Sequence, residues 1–299
     1  MANVRTYRPS VRVGNWNEDV ILEEDTLKDF LHRRERGELT VQRNGCLKQG
    51  LLKSVNLSVA RDGFLHFGDV VMLVNPKGVD PHTRDACALS IIADINSIHQ
   101  HPDPDSAPCL QGPCQVGGAR SLDPCARNAF IISSVDGSPE GEMVKYEQCF
   151  ALRTTADFTG QLFLASDITT FQKCALKSRL QEVSLVKQLD FLCWWRAVCR
   201  DPHERLEQQG FPVQVNSKVL ISHCKTNQCL AALHNHTIWS VFGRDYEITA
   251  HTFLDSHKAE QDVNHWLFVT SDPSNQEQSL FTRQQETLTS DGKQDSQED

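Results

Sequence analysis

A set of short apolar runs, separated by polar turns, returns three times along this chain, four runs in two copies and three in a looser one, and none is long enough to stand as a sheet by itself. The pattern is sharpest between Lys218 and Val269. There Val219-Leu-Ile221, Leu230-Ala-Ala-Leu233, Tyr246-Glu-Ile-Thr-Ala-His251 and Trp266-Leu-Phe-Val269 are joined by segments rich in Asn, Asp, Gly and His. β-Branched and aromatic runs of this length, bounded by turn residues, predict strands; the two alanines make the second run the weakest. The middle of the chain repeats the order with Phe150-Ala-Leu152, Leu162-Phe-Leu164, Glu182-Val-Ser-Leu185 and Cys193-Trp-Trp195. In this alignment Leu152 answers Ile221, Leu162 answers Leu230, Val183 answers Ile248, and Trp194 or Trp195 answers Trp266. A looser first copy runs through Phe67–Asn75, Cys87–Ile92 and Ala129–Ile132, with Phe130 where the others carry Trp. Units that cannot bury their own apolar faces must close on one another, which predicts a single threefold, mainly β body.

Around that body the sequence divides as follows. Residues 1–22 read as an extended arm: they lack helical periodicity yet carry Tyr7, Val11, Val13, Trp16, Val20 and Ile21, too apolar for a solvated tail. Such an arm folds back or docks on a partner, with Trp16 and the arginines as anchors. Residues 23–63 are a helix and lead-in. The helix runs from Glu23 to Arg36, with Glu23, Glu24 and Asp25 at its start, Arg33, Arg34 and Arg36 at its end, and Gly37 as its stop. Leu27, Phe30 and Leu31 make its buried stripe. Leu39–Gln42 and Leu57–Val59 are short-strand candidates. The β body spans 64–270 and is interrupted at 99–127, where prolines at 102, 104, 108, 113 and 124 and glycines at 112, 117 and 118 predict an inserted loop without strands. Arg200 to Pro212 carries one helical turn, and residues 271–299 form a disordered polar tail.

Charge and cysteine usage narrow the function classes. The net charge of −9 disfavours nucleic acid. Arg5, Arg8 and Arg12 nevertheless precede any acidic residue, so the arm suits an acidic partner. No apolar run approaches the roughly 18–20 residues of a membrane span. The opening Met-Ala-Asn-Val-Arg-Thr has no apolar signal core, which predicts that the chain is not exported. Eleven cysteines without framework spacing predict reduced thiols, Cys87, Cys149 and Cys193 among them in the core.

The candidate chemistry is sparse. His223, Cys224, Cys229, His234 and His236 crowd one span, but Cys-x4-Cys followed by His-x-His is not a structural-zinc spacing. Cys109, Cys114 and Cys125 share the defect. No cysteine precedes a helix after a strand, where its thiol would be activated. Glu23-Glu-Asp25 compensates a helix dipole. Gly117-Gly118 lacks the Lys-Ser/Thr of a phosphate loop. Trp194 and Trp195 face opposite ways on a strand, so one belongs to the core; Tyr246 and His251 read as packing residues. No catalytic residue, metal or cofactor is expected, and a binding scaffold is.

Two resemblances refine this. His223, Thr226, Leu230, Asp255 and Trp266, in that order, resemble the repeat of MIR domains, which implies that the β body is a MIR-like β-trefoil; Phe67-Gly-Asp69 with Val71 and Leu73 is similar to the way such repeats begin. Further, Val11-Arg-Val-Gly-Asn-Trp-Asn-Glu-Asp-Val with Leu22-Glu-Glu, Val70-Val-Met-Leu-Val-Asn-Pro76, and His251-Thr-Phe-Leu-Asp-Ser-His257 with Asn264-His-Trp266 resemble the cilia- and flagella-associated protein 161 family, over about Val11 to Thr270. That resemblance implies a microtubule inner protein in the A-tubule lumen of ciliary doublets, bound to tubulin and neighbouring inner proteins. Arg8, Arg12, Trp16 and Asn17 are the residues expected to meet those partners. The alternative is a lectin-like or peptide-binding trefoil, since MIR domains accompany mannosyltransferases. Asn56-Leu-Ser58 and Asn235-His-Thr237 match the glycosylation pattern, but that motif needs export to matter.

Overall fold

A computed structural model describes residues 16–76, 86–99 and 108–271. The described chain falls into two compact units, divided between Cys46 and Leu47.

The first unit is helical. Helix α1 spans Trp16–Glu35 and helix α2 begins at Thr40 and ends at Leu51. Gly37 adopts φ +72°, the left-handed conformation that glycine enters without a Cβ penalty. Around it Glu38 N–H donates to Arg33 O and Gly37 N–H to Arg34 O, the paired bonds of a Schellman stop. Gln42 then starts α2: its Oε1 accepts from Leu39 N–H while its Nε2 donates to Arg34 O.

This unit corrects three expectations. Residues 16–22 are helical, not extended, because Val20, Leu27 and Leu31, with Phe30, continue one helical stripe upstream of Glu23. Thr40–Gln42 is helix and Leu39 the bend before it, since the Gln42 cap overrides the strand preference of Thr40 and Val41. Leu27, Phe30 and Leu31 are not buried: they are 58%, 45% and 38% exposed.

The second unit begins at Leu47, not at residue 64. Leu47 and Leu51 are fully buried in the β core. Leu51 O and Lys53 O accept from Arg127 N–H and Ala126 N–H. Leu57–Val59 is not a strand, but Ser58 exchanges bonds with Val70 through its N–H and its Oγ, and its carbonyl accepts from Ser271 N–H. Ser271 is itself buried and bonds Leu57 O, so ordered chain extends one residue into the segment expected to be tail. The rest of that segment lies outside the described residues.

The strands are β1 (Val70–Asn75), β2 (Cys87–Ile92), β3 (Ile98–His99), β4 (Cys109–Leu110), β5 (Cys114–Ala119), β6 (Ala129–Ser134), β7 (Cys149–Thr154), β8 (Phe163–Ser166), β9 (Gln181–Val186), β10 (Trp195–Cys199), β11 (Val219–His223), β12 (Leu230–Ser240), β13 (Gly243–Ala250) and β14 (His265–Val269). One helical turn, α3 (Arg205–Gln208), lies where the sequence predicts it. Setting aside the small β3–β4 hairpin, the others group in fours: β1, β2, β5, β6; then β7 to β10; then β11 to β14.

The pairings close this set. The first and fourth strands of each group form an antiparallel ring, β1–β6–β7–β10–β11–β14 and back to β1. The inner pairs form the hairpins β2–β5, β8–β9 and β12–β13. Strands β5, β9 and β13 then pair with one another in a triangle that shuts one end of the ring. A six-stranded ring capped by three hairpins is the β-trefoil arrangement, and closure leaves the ring without an open edge.

One core fills it. Phe130, Trp195 and Trp266, the three closing aromatics, are fully buried. Trp195 Nε1–H donates to Leu164 O at 2.8 Å and Trp266 Nε1–H to Leu230 O at 3.0 Å, so each indole satisfies its only donor. These bonds make Leu164, not Leu162, the counterpart of Leu230, and they separate buried Trp195 from Trp194, which is 36% exposed. The expected insert at 99–127 also changes. Residues 100–107 lie outside the described residues, but 114–119 is strand β5, at the centre of the triangle. Its glycines are there for close approach: a Cβ on Gly118 would sit 2.9 Å from Cys87 Sγ and 3.2 Å from Tyr246 Cβ.

Candidate functional site

The residues expected to meet a partner fall at the start of the chain. Arg8 and Arg12 lie outside the described residues; Trp16 and Asn17 open the first turn of α1. Beyond them α1 exposes Leu27, Phe30 and Leu31 on one face with Val20, and Ile21 and Leu22, 58% and 52% exposed, on another. The charges around this stripe pair along the helix, Lys28 with Glu24 and Asp25, and Arg33 with Asp29, at 3.7–3.8 Å. Such exposed pairs add little stability and leave the apolar side chains uncovered.

A second surface, absent from the sequence reading, is the tip of the β12–β13 hairpin. Trp239 is 77% exposed there. Its backbone is braced from below. Arg127, buried, donates from Nε to Ile91 O at 2.9 Å, forms an ion pair with Asp245, and lies 4.4 Å from the Phe242 ring centroid. Ser240 Oγ–H donates to Asp245 at 2.9 Å and accepts from Phe242 N–H. The indole thus presents a large apolar face to solvent on a hairpin whose backbone is braced. The signal in the sequence was a Trp beside Ser240-Val-Phe-Gly243, a turn whose Gly243 takes φ +116°.

The polar clusters of the sequence are dispersed. His223 is buried, with Nδ1 on Thr226 Oγ1 and Nε2 on Leu192 O, each at 2.9 Å, and its ring stacks 4.9 Å from Trp195. Burial pushes its pKa below the usual imidazole value. Cys229 is buried beside Ser222, whereas His234 tilts against Tyr246, with centroids 4.5 Å apart. Cys114 Sγ faces Gln111 O and Cys125 Sγ faces Asn128 Oδ1. Among the described residues no three His, Cys, Asp or Glu side chains converge as metal ligands would. His251 packs edge-on against Phe253. Among the described residues no disulfide joins any of the cysteines; Cys87 and Cys193 are buried as expected, and Cys149 is only half-buried. Burial raises the Cys193 thiol to about 11.

The fold and these surfaces define a closed β-trefoil scaffold with exposed apolar anchors. Residues 43–271 match the family model of the cilia- and flagella-associated protein 161-like domain. The chain is 65% identical to a zebrafish (Danio rerio) cilia- and flagella-associated protein 161 over 286 residues, 96% of this chain and 95% of that protein. It is 42% identical to the mouse (Mus musculus) protein of that name, over 92% and 91% of the two chains. The chain belongs to the cilia- and flagella-associated protein 161 family. Among solved structures it is similar to an SDF2-like protein from Arabidopsis thaliana, with 17% identity, TM-score 0.47, and coverage of 68% of this chain and 93% of that one. The trefoil assignment rests on the strand pairings.

Proposed function

We propose that this protein is a structural microtubule inner protein, bound in the lumen of the A-tubule of axonemal doublets, where it contacts the tubulin lattice and neighbouring inner proteins. Membership of the family across nearly its whole length carries this reading. The physical features agree with it. A ring without open edges resists both local unfolding and edge-to-edge association. Apolar side chains on α1 and at Trp239 supply anchors of the kind that dominate interface energies. The N-terminal arginines suit an acidic lattice. Repetition along a filament turns several weak contacts into stable retention. The role is one of holding position during ciliary and flagellar beating, with no substrate turned over.

The test is incorporation. Replacing Arg8, Arg12 and Trp16 together by alanine abolishes incorporation into doublets in cells lacking the wild-type protein, while the purified variant keeps the circular dichroism and melting temperature of the parent. Normal incorporation of the triple variant overturns the assignment of the N-terminal anchor. Absence of the wild-type chain from purified doublets overturns the function itself.

A further inference from the structure

Strand β10 runs between β7 and β11, and its register brings two thiols over one face. Arg196 lies opposite Cys149 on one side and opposite Ser222 on the other. Just past the end of β11, Cys224 N–H donates to Trp194 O at 2.9 Å. The Cys149 and Cys224 sulfurs, 75 residues apart in sequence, stand 3.4 Å apart, and both side chains are half-buried. A disulfide bond is about 2.05 Å long, so closure needs an approach of about 1.4 Å. Neither residue belongs to the anchors of the proposed function.

We infer that Cys149 and Cys224 form an oxidation site, a dithiol that a peroxide converts to a disulfide. In the first step the Cys149 sulfur gives up its proton and attacks one oxygen of hydrogen peroxide. The O–O bond breaks, the sulfur becomes a sulfenic acid, and the departing hydroxide leaves as water with the proton that Cys149 gave up. In the second, the Cys224 sulfur attacks the sulfenic sulfur; the S–O bond breaks and hydroxide leaves as water with the Cys224 proton. Two thiols lose two electrons, one peroxide gains them, and two waters form. Burial, reinforced by the contact with Cys149, raises the Cys224 thiol above its usual value. The Arg196 guanidinium opposes that rise, although it also pairs with Glu147 at 3.1 Å. The new bond would tie the opening strand of the second group to that of the third, across β10.

The experiment uses the full chain, reduced and then exposed to hydrogen peroxide in small excess, alkylated, digested without reductant and mapped by mass spectrometry. The expected result is a linked peptide pair joining Cys149 to Cys224, two hydrogens lighter than the sum of its halves and cleaved by dithiothreitol. Constraining a loop of this length raises the melting temperature by roughly 5–15 °C. C149S and C224S each lose the linked pair and the shift. Because the mapping is done on the wild-type chain, it does not depend on how the variants fold. Recovery of Cys149 and Cys224 in separate peptides, alkylated or over-oxidised, overturns the inference.

Discussion

In the ring strands between Leu47 and Ser271 the large apolar side chains turn inward: Phe130, Phe150, Trp195, Trp266 and Phe268 are shut from water, while Phe171 and Trp239, outside the ring, stay exposed. Between Val20 and Leu31 they do the opposite, and Ile21, Leu22, Leu27, Phe30 and Leu31 face solvent. Both regions carry apolar periodicity, of period two in the first and helical in the second. In the strands that pattern is satisfied within the chain, because three units cover one another. Within its own unit helix α1 leaves those side chains exposed. Periodicity therefore reports an apolar face without saying what covers it, and the proposed function supplies the stripe of α1 with a partner.

This contrast can be broken by substitution, and the largest effect belongs to the ring. Trp266→Ala removes a buried indole and its bond to Leu230 O, and lowers unfolding free energy by about 3–5 kcal/mol in denaturant titration. Loss below about 1 kcal/mol would mean that the closing aromatics do not hold the core. Next is the triangle of hairpins. Gly118→Ala drives a Cβ against Cys87 and Tyr246 and destabilises by about 1–3 kcal/mol, read as a fall in melting temperature.

A smaller effect comes from pH. Burial depresses His223 and His265 below the ordinary imidazole value of about 6.5. The unfolded chain therefore binds protons below that pH which the folded chain refuses, so stability is full above about 6.5 and declines as pH falls through it. Melting at pH 5.5 should come several degrees below melting at pH 7.5, with a smaller difference in His223→Gln. An unchanged gap in that variant would remove His223 from the explanation. Smallest of all for folding is Leu27→Ser with Phe30→Ser on α1: each exposed site changes stability by about 0.5 kcal/mol or less. The same pair should nevertheless reduce retention in doublets, which pelleting from salt-washed axonemes measures; retention equal to wild type would leave the stripe without a partner.

What the sequence revealed follows the same division. The threefold order was legible because Trp266, Trp195 and Phe130 each close a group of β-branched runs, and period two survives between them. The Leu162 and Leu164 assignment slipped by two residues, since both are apolar and alternation alone gives the face and not the register; the indole bonds decide it. Strand β5 was hidden because Gly117 and Gly118, read locally, signal a turn, whereas packing against Cys87 and Tyr246 excludes any side chain there. The start of α1 was missed because Val20, Ile21 and Leu22 are adjacent and blur the helical period. Trp239 was missed because a lone aromatic in a strand ordinarily points inward, whereas Ile238 takes the buried side here and alternation turns Trp239 out.

Electron cryo-microscopy of isolated doublet microtubules tests most directly whether a self-sufficient trefoil is held in place through an uncovered helix. The expected map has the ring of residues 47–271 inside the A-tubule at regular intervals, with Leu27 and Phe30 seated against tubulin or a neighbouring inner protein. A map with the protein elsewhere in the axoneme, or with that face of α1 open to the lumen, would contradict it.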